Sequence, residues 1–156
     1  MKIHLIAAGL RVPDWVEQGY HEFAKRLPAE YRIKLIEIPV GKRHKNSDIK
    51  RLLEREGRQM AAAIPKDSMV IALDVKGQQW NTEQLADRFL SWRQEGHDVT
   101  LLVGGPDGLA PDCLARAQYI WSLSRLTLPH ALVRIVIAEQ LYRVWSIHNE
   151  HPYHRG

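Results

Sequence analysis

Short, nearly unbroken apolar runs alternate with longer amphipathic segments along the whole chain, and this alternation limits the fold more than any other feature. Ile3, Leu5 and Ala7 open the first run, which stops at Gly9, while Ser68–Asp74 (SMVIALD) and Val99–Val103 are apolar almost throughout. A strand apolar on both faces must be covered on both faces, as in parallel sheets whose crossovers are helices. Arg32–Val40 alternates in the manner of a strand, and Tyr119–Leu123 supplies another. Between these runs apolar residues recur at helical spacing. Trp15, Val16, Tyr20, Phe23, Ala24 and Leu27 do so up to Pro28, and Ile49, Leu52, Leu53, Met60 and Ala61 after Ser47 or Asp48. Leu85, Ala86, Phe89, Leu90 and Trp92 follow between a Thr82 cap and Gly96, then a short helix around Leu114 and a long one from Pro129 to Trp145. The pattern predicts an α/β protein with a doubly wound sheet of five to six mostly parallel strands flanked by helices.

With 156 residues the chain fits a single domain, 1–156, that buries an ordinary hydrophobic core. Hydrophobic residues at 45% and charged residues at 26% exclude a disordered or fibrous chain. No apolar run approaches the roughly 20 residues of a membrane span. The opening MKIHLIAAGLRVPDW lacks an upstream basic region and a cleavage site, so it reads as a first strand. A single cysteine, Cys113, excludes an internal disulfide and, with no secretory leader, points to the cytoplasm. Lys and Arg number 22 against 18 Asp and Glu, a net +4 that suits an anionic partner such as RNA.

In open α/β sheets ligands sit beyond the carboxyl ends of the strands. Here those ends carry Asp74–Gly77, the glycine loop Gly104–Gly108 (GGPDG), and Ser124–Pro129. The glycine loop matches neither a dinucleotide fingerprint nor a triphosphate loop, and reads equally as a tight turn after a strand. Leu123–His130 (LSRLTLPH) is apolar and hydroxyl-rich without a glycine, which suits either a cover for a flat apolar ring such as adenine or a packed subunit contact. The last helix is apolar on nearly all sides in its first two turns and so requires two packing partners, its own sheet and a second subunit. Arg134 falls in the middle of its main apolar arc and needs a carboxylate, a phosphate or an equivalent partner.

Lys42, Arg43, His44, Lys45, Lys50 and Arg51 form a basic cluster that reads as solvated surface. The end of the chain, His148 to Gly156, gathers imidazoles, a phenol and a guanidinium able to bond phosphates or stack on bases. Pro152 breaks the helix that would align its histidines, and no metal site is read there. A serine hydrolase is not indicated either, because Ser122 and Ser124 sit in no nucleophile elbow.

GGPDG, LSRLTLPHALVR at 123–134 and HPYHR at 151–155, together with the early PDW and IPVGKRHKN, resemble the SPOUT-class ribosomal RNA methyltransferases. Within that class they are similar to the branch that methylates N3 of a pseudouridine in large-subunit RNA. Asp107 departs slightly, since the family is associated with Glu there. The resemblance implies a trefoil knot near the C-terminus and a homodimer packed through it. It also implies S-adenosylmethionine as methyl donor, held by Leu73, Gly104, Leu123, Ser124, Arg125, Leu126, Thr127 and Leu128. The acceptor would be a pseudouridine of large-subunit ribosomal RNA within the assembled ribosome. N3 of that ring carries a proton that a base must remove, and His154 is the first choice, with Tyr153 and Arg155 holding the ring or its phosphates. Competing readings are a non-catalytic ribosome-binding protein, a methyltransferase for another RNA position, and an enzyme using a different adenosyl ligand.

Overall fold

In the computed structural model, residues 1–10 and 12–155 are described; Arg11 and Gly156, the last residue of the tail noted above, lie outside them. The elements run β1 (Ile3–Ala8), α1 (Asp14–Ala24), β2 (Ile33–Ile38), α2 (Ile49–Ala63), β3 (Met69–Gln79) and α3 (Thr82–Gln94). They continue with β4 (Val99–Val103), α4 (Pro111–Arg116), β5 (Tyr119–Ser122) and α5 (His130–His148). Short 3₁₀ turns occupy Ala29–Tyr31 and Pro152–Arg155. Among the described residues the sheet has five strands in the order β2-β1-β4-β3-β5. Every neighbouring pair is parallel.

The apolar runs are explained by what covers them. On β1, Ile3, Leu5 and Ala7 enter one core cluster with Tyr20 of α1, Phe89 of α3 and Leu141 of α5. The alternate residues Ile6 and Ala8 enter a second, with Met60 of α2 and Cys113 of α4. Side chains of a strand alternate between faces, so a strand buried on both sides needs apolar residues at every position. β1 and β4, inside the sheet, are buried along their whole length. Thr100 is the polar exception on β4; its hydroxyl lies 2.9 Å from that of Ser68.

Of the boundaries that differ from the periodicity, three have a visible cause. β3 runs on to Gln79 rather than stopping at Asp74, because a bulge lets both Leu73 and Gln78 pair with Trp121 of β5. The bulge depends on Gly77, where a Cβ would lie 2.5 Å from the Ile120 carbonyl oxygen. The cap of α3 is Asn81 rather than Thr82: its side chain accepts from Gln84 N while the Gln84 side chain accepts from Asn81 N. α5 continues three residues past Trp145 because its end is tied down. The Tyr31 hydroxyl and His148 Nδ1 are 2.7 Å apart, and His148 Nε2 is 2.8 Å from the Ala86 carbonyl oxygen. Ser146, expected on the polar side of α5, is buried, with its hydroxyl donating to the Arg143 carbonyl at 2.8 Å.

Arg134 has the partner its position demands. At 2% exposure it donates through Nη1 to Glu37 Oε2 at 2.8 Å and through Nη2 to the Gly9 carbonyl at 2.7 Å. Replacing Arg134 by Ala leaves that carbonyl and a half-buried carboxylate without their donor, at a cost of about 3 kcal/mol. Urea denaturation should show the loss as a lower midpoint at unchanged slope, with Arg134→Lys recovering part of it.

Candidate functional site

A cavity of about 620 Å³ opens at the carboxyl ends of β3, β4 and β5. Leu73 and Val103 supply strand-end walls, Trp121 of β5 another, and the first turn of α5 contributes His130 and Val133. Two loops complete it. Gly104, Gly105, Pro106 and Gly108 line one side, and Leu123, Ser124 and Leu126 to Pro129 the other.

Each loop holds its shape for a local reason. In the glycine loop Gly108 N donates to the Gly105 carbonyl at 3.1 Å, and Gly108 has φ +79°, a conformation that L side chains avoid. A Cβ on Gly104 would collide with the Gly108 backbone, so only glycine closes this turn. In the second loop the Ser122 hydroxyl donates to the Ser124 carbonyl at 2.8 Å, and the Ser124 hydroxyl accepts from Leu126 N at 2.9 Å. Two serines thereby do internally what a glycine turn would do, and Leu126 is left 73% exposed on the cavity rim. Ser122 and Ser124 are thus bonded into the loop as scaffold, not set up as nucleophiles. Trp121 is 3% exposed, stacks on Trp80 at 5.5 Å, and has an Nε1 with no hydrogen-bond partner.

Of the residues expected to hold the donor, Leu73, Gly104, Leu123, Ser124, Leu126, Thr127 and Leu128 all line this cavity. Arg125 is exposed and is not part of the lining. The tail lies elsewhere. The Tyr153 ring packs edge-on against Tyr142 at 4.5 Å, its hydroxyl donates to Glu139 Oε1 at 3.0 Å, and the Arg143 guanidinium lies over it at 5.1 Å. Burial first, then the Glu139 carboxylate, push the Tyr153 phenol up, so it stays protonated and acts as a donor. His154 Nδ1 is 2.6 Å from the His151 carbonyl oxygen. A carbonyl can only accept, so Nδ1 carries the proton and the lone pair is on Nε2. Arg155 is exposed. The helix segment that receives the tail starts six residues beyond Val133, about 9 Å further along the axis at the usual rise. Within one chain, then, the structure brings the residues expected to hold the donor together, Arg125 excepted, and keeps His154, Tyr153 and Arg155 apart from them.

Two residues take on more than their sequence context suggests: Arg43, in a basic cluster that reads as solvated surface, and His130, at the end of the LSRLTLPH segment. His130 lines both this cavity and a cleft of about 320 Å³ formed by Gly9, Leu10, Pro39, Val40 and Pro106. Burial, followed by the nearby Arg134, lowers its pKa and keeps the imidazole neutral near pH 7. Among the described residues no three His, Cys, Asp or Glu side chains converge as a metal site, and no helix is long and apolar enough to cross a membrane.

A parallel α/β sheet with an open pocket walled by two loops at its strand ends, closed by the first turn of a long apolar helix, is the architecture to be placed in a family. Residues 1–154 match the family model described as Predicted SPOUT methyltransferase, and the chain belongs to the SPOUT methyltransferase family. Membership carries the C-terminal trefoil knot with it. The chain is 54% identical over 155 residues, 99% of its length and 100% of the relative's, to a protein named Ribosomal RNA large subunit methyltransferase H from Marinomonas sp. (strain MWYL1). Among solved structures it is similar to a probable methylase family protein from Haemophilus influenzae Rd KW20, with TM-score 0.56 and 10% identity. That match covers 97% of this chain and 69% of the other. A second structure, concerned with the 2-OH methylation of C/U34 on tRNA, has TM-score 0.50 and 18% identity, covering 93% and 97%. At these identities the two structures speak for the fold alone.

The neutral histidines make stability pH-dependent with a definite sign. Burial, followed by Lys34, also lowers the pKa of His4. As pH falls through 6.5, the unfolded chain takes up protons at His4 and His130 that the folded chain refuses. The stabilisation is complete above that value and is lost below it. Melting temperature should therefore fall between pH 7 and pH 5, and His4→Asn with His130→Asn should flatten the decline.

Proposed function

We propose that this protein is a cytoplasmic, S-adenosylmethionine-dependent methyltransferase that acts as a homodimer on large-subunit ribosomal RNA in the assembled ribosome. The acceptor atom is N3 of a pseudouridine. The observation that carries the reading is the convergence of Leu73, Gly104 and the 123–128 loop, distant in the chain, on one cavity of about 620 Å³. That size is within the range of small-molecule and cofactor sites. The relative 54% identical over its full length is named for ribosomal RNA methylation, which gives the substrate class.

The cavity fits a sulfonium nucleoside on three counts. Leu123, Leu126 and Leu128 offer apolar surface for an adenine ring, the glycine loop brings backbone close to a ribose or carboxylate, and Trp121 Nε1 is a buried donor with no partner. His130 is held neutral and so adds no positive charge to a pocket whose ligand is itself cationic. The donor supplies an activated methyl group when bound. The chain's task is to align and desolvate the acceptor.

For the acceptor, the tail of the partner subunit reaches the cavity and makes the site composite. His154 of that subunit takes the N3 proton on Nε2, the position its bond to the His151 carbonyl leaves with a lone pair. N3 then forms the N–CH₃ bond as the carbon–sulfur bond breaks. Tyr153, its hydroxyl donating to Glu139, holds the turn that displays His154, and the exposed Arg155 pairs with a phosphate.

His154→Ala should lower methyl transfer to ribosomes from a deletion strain by about 100-fold, the usual scale of a positioned base, while donor affinity by calorimetry stays within about twofold. Mass spectrometry of the RNA locates the methyl group. Activity that survives the substitution would show that His154 is not the proton acceptor. A methyl group at another nucleotide would assign a different position, and ribosome binding without any donor binding would make the protein a non-catalytic module.

A further inference from the structure

Arg43 belongs to the basic segment that composition reads as solvated, yet its side chain is only 19% exposed. Nη1 donates to Glu56 Oε1 at 2.6 Å and to the Gly41 carbonyl at 2.8 Å, and Nε donates to Asp107 Oδ2 at 3.0 Å. Glu56, on α2, is 4% exposed. Asp107 is in the glycine loop, and its neighbours Gly104, Gly105, Pro106 and Gly108 line the donor cavity while Asp107 itself does not. Its carboxylate turns outward and meets the guanidinium.

We propose that Arg43 is a positioning residue for methyl transfer: through Asp107 it holds the glycine loop in its donor-binding form and locks that loop to the basic segment of Lys42, His44 and Lys45. The inference rests on the donor site proposed above. A loop built of three glycines has little conformational preference of its own, and ordering it costs more entropy than ordering other residues. Internally it has the Gly108–Gly105 hydrogen bond, and Gly105 lies beside Ala8 and Val40. Arg43 adds the charged tether. The tether is anchored on rigid structure, since Glu56 is buried in a helix whose first turn is capped by Asp48 accepting from Arg51 N at 3.1 Å. Glu56 fixes the guanidinium, the guanidinium fixes Asp107, and the backbone of the loop is presented to the ligand already ordered.

Loss of the tether acts on donor binding and leaves the chemistry at saturation alone, and this separates positioning from catalysis. Asp107 is partly exposed, so Asp107→Ala removes a charge-assisted bond of modest strength. It should raise both the calorimetric Kd and the KM for S-adenosylmethionine about threefold to tenfold, with kcat unchanged within about twofold. Asp107→Glu should restore most of the affinity. The double variant Arg43→Gln with Glu56→Gln removes the guanidinium without stranding a buried carboxylate, and should weaken donor binding at least as much. A lowered melting temperature with unchanged Kd would show a purely structural role and overturn the inference, as would Asp107→Glu binding no better than Asp107→Ala. A fall in kcat at unchanged KM would overturn it too. Absence of binding heat in the unsubstituted protein would overturn the donor-site reading, and this inference with it. Normal binding that Asp107→Ala leaves untouched would overturn this inference alone.

Discussion

The bond pair made by Arg134 fixes the helix on which the rest of the site depends. In its first two turns α5 is apolar on nearly all sides, so there hydrophobic burial alone does little to set its rotation. A guanidinium 2% exposed does set it, because burying that charge without partners costs several kcal/mol. Glu37 and the Gly9 carbonyl occur together at the ends of β2 and β1, so α5 has one rotation that satisfies Arg134. The same turn then delivers His130 and Val133 to the cavity. Tyr20 lies beside this pair, its pKa raised by burial to about 12, and so adds no competing charge.

The opposite end of α5 is fixed by a different device. His148 bridges the Tyr31 hydroxyl and the Ala86 carbonyl, and Arg93 Nη1 donates to the same hydroxyl at 2.7 Å. With both ends held, the helix is a rigid strut across one face of the sheet. The tail then folds back on it through Glu139, Tyr142 and Arg143. His154 is displayed from a structured turn, and the bond that orders the turn also sets its tautomer. Ordering the tail in the free protein lowers the entropy that RNA binding would otherwise have to supply.

The fold was largely legible in the sequence because double-sided burial leaves a local mark. SMVIALD and VTLLV are apolar at successive positions for a reason any stretch of a few residues records. That the 123–128 loop lines a cavity was legible for a related reason: a connection carrying Leu123, Leu126 and Leu128 must be covered, packed away, or have a ligand to cover. What escaped notice depends on partners far apart in the chain. The Asp74–Gly77 bulge is polar and looks like a turn until Trp121 pairs on both sides of it. Arg43 looks solvated until Glu56 and Asp107, 13 and 64 residues away, are brought to it. His130 is an unremarked polar residue at a helix start until the strand ends carry two cavities past it. Single-residue chemistry was visible throughout; juxtaposition was not.

On the proposed reading, one subunit does not make a complete site. The donor cavity takes α5 at its first turn, whereas the tail is held against residues 139–145 of the same helix. The contacts that hold Tyr153 in place keep it there, so bringing His154 to its own cavity would require giving up the Glu139 and Tyr142 contacts. A second copy removes that conflict, since a tail anchored on one α5 can face the cavity beside the other. Within the chain α5 packs on more than the sheet: Ile135 lies against Gly19 of α1, and α3 packs along the helix as well, so its all-round apolar character has partners in its own subunit. On the proposed reading, the helix whose first turn closes the donor pocket anchors, further along, the tail that serves the other copy.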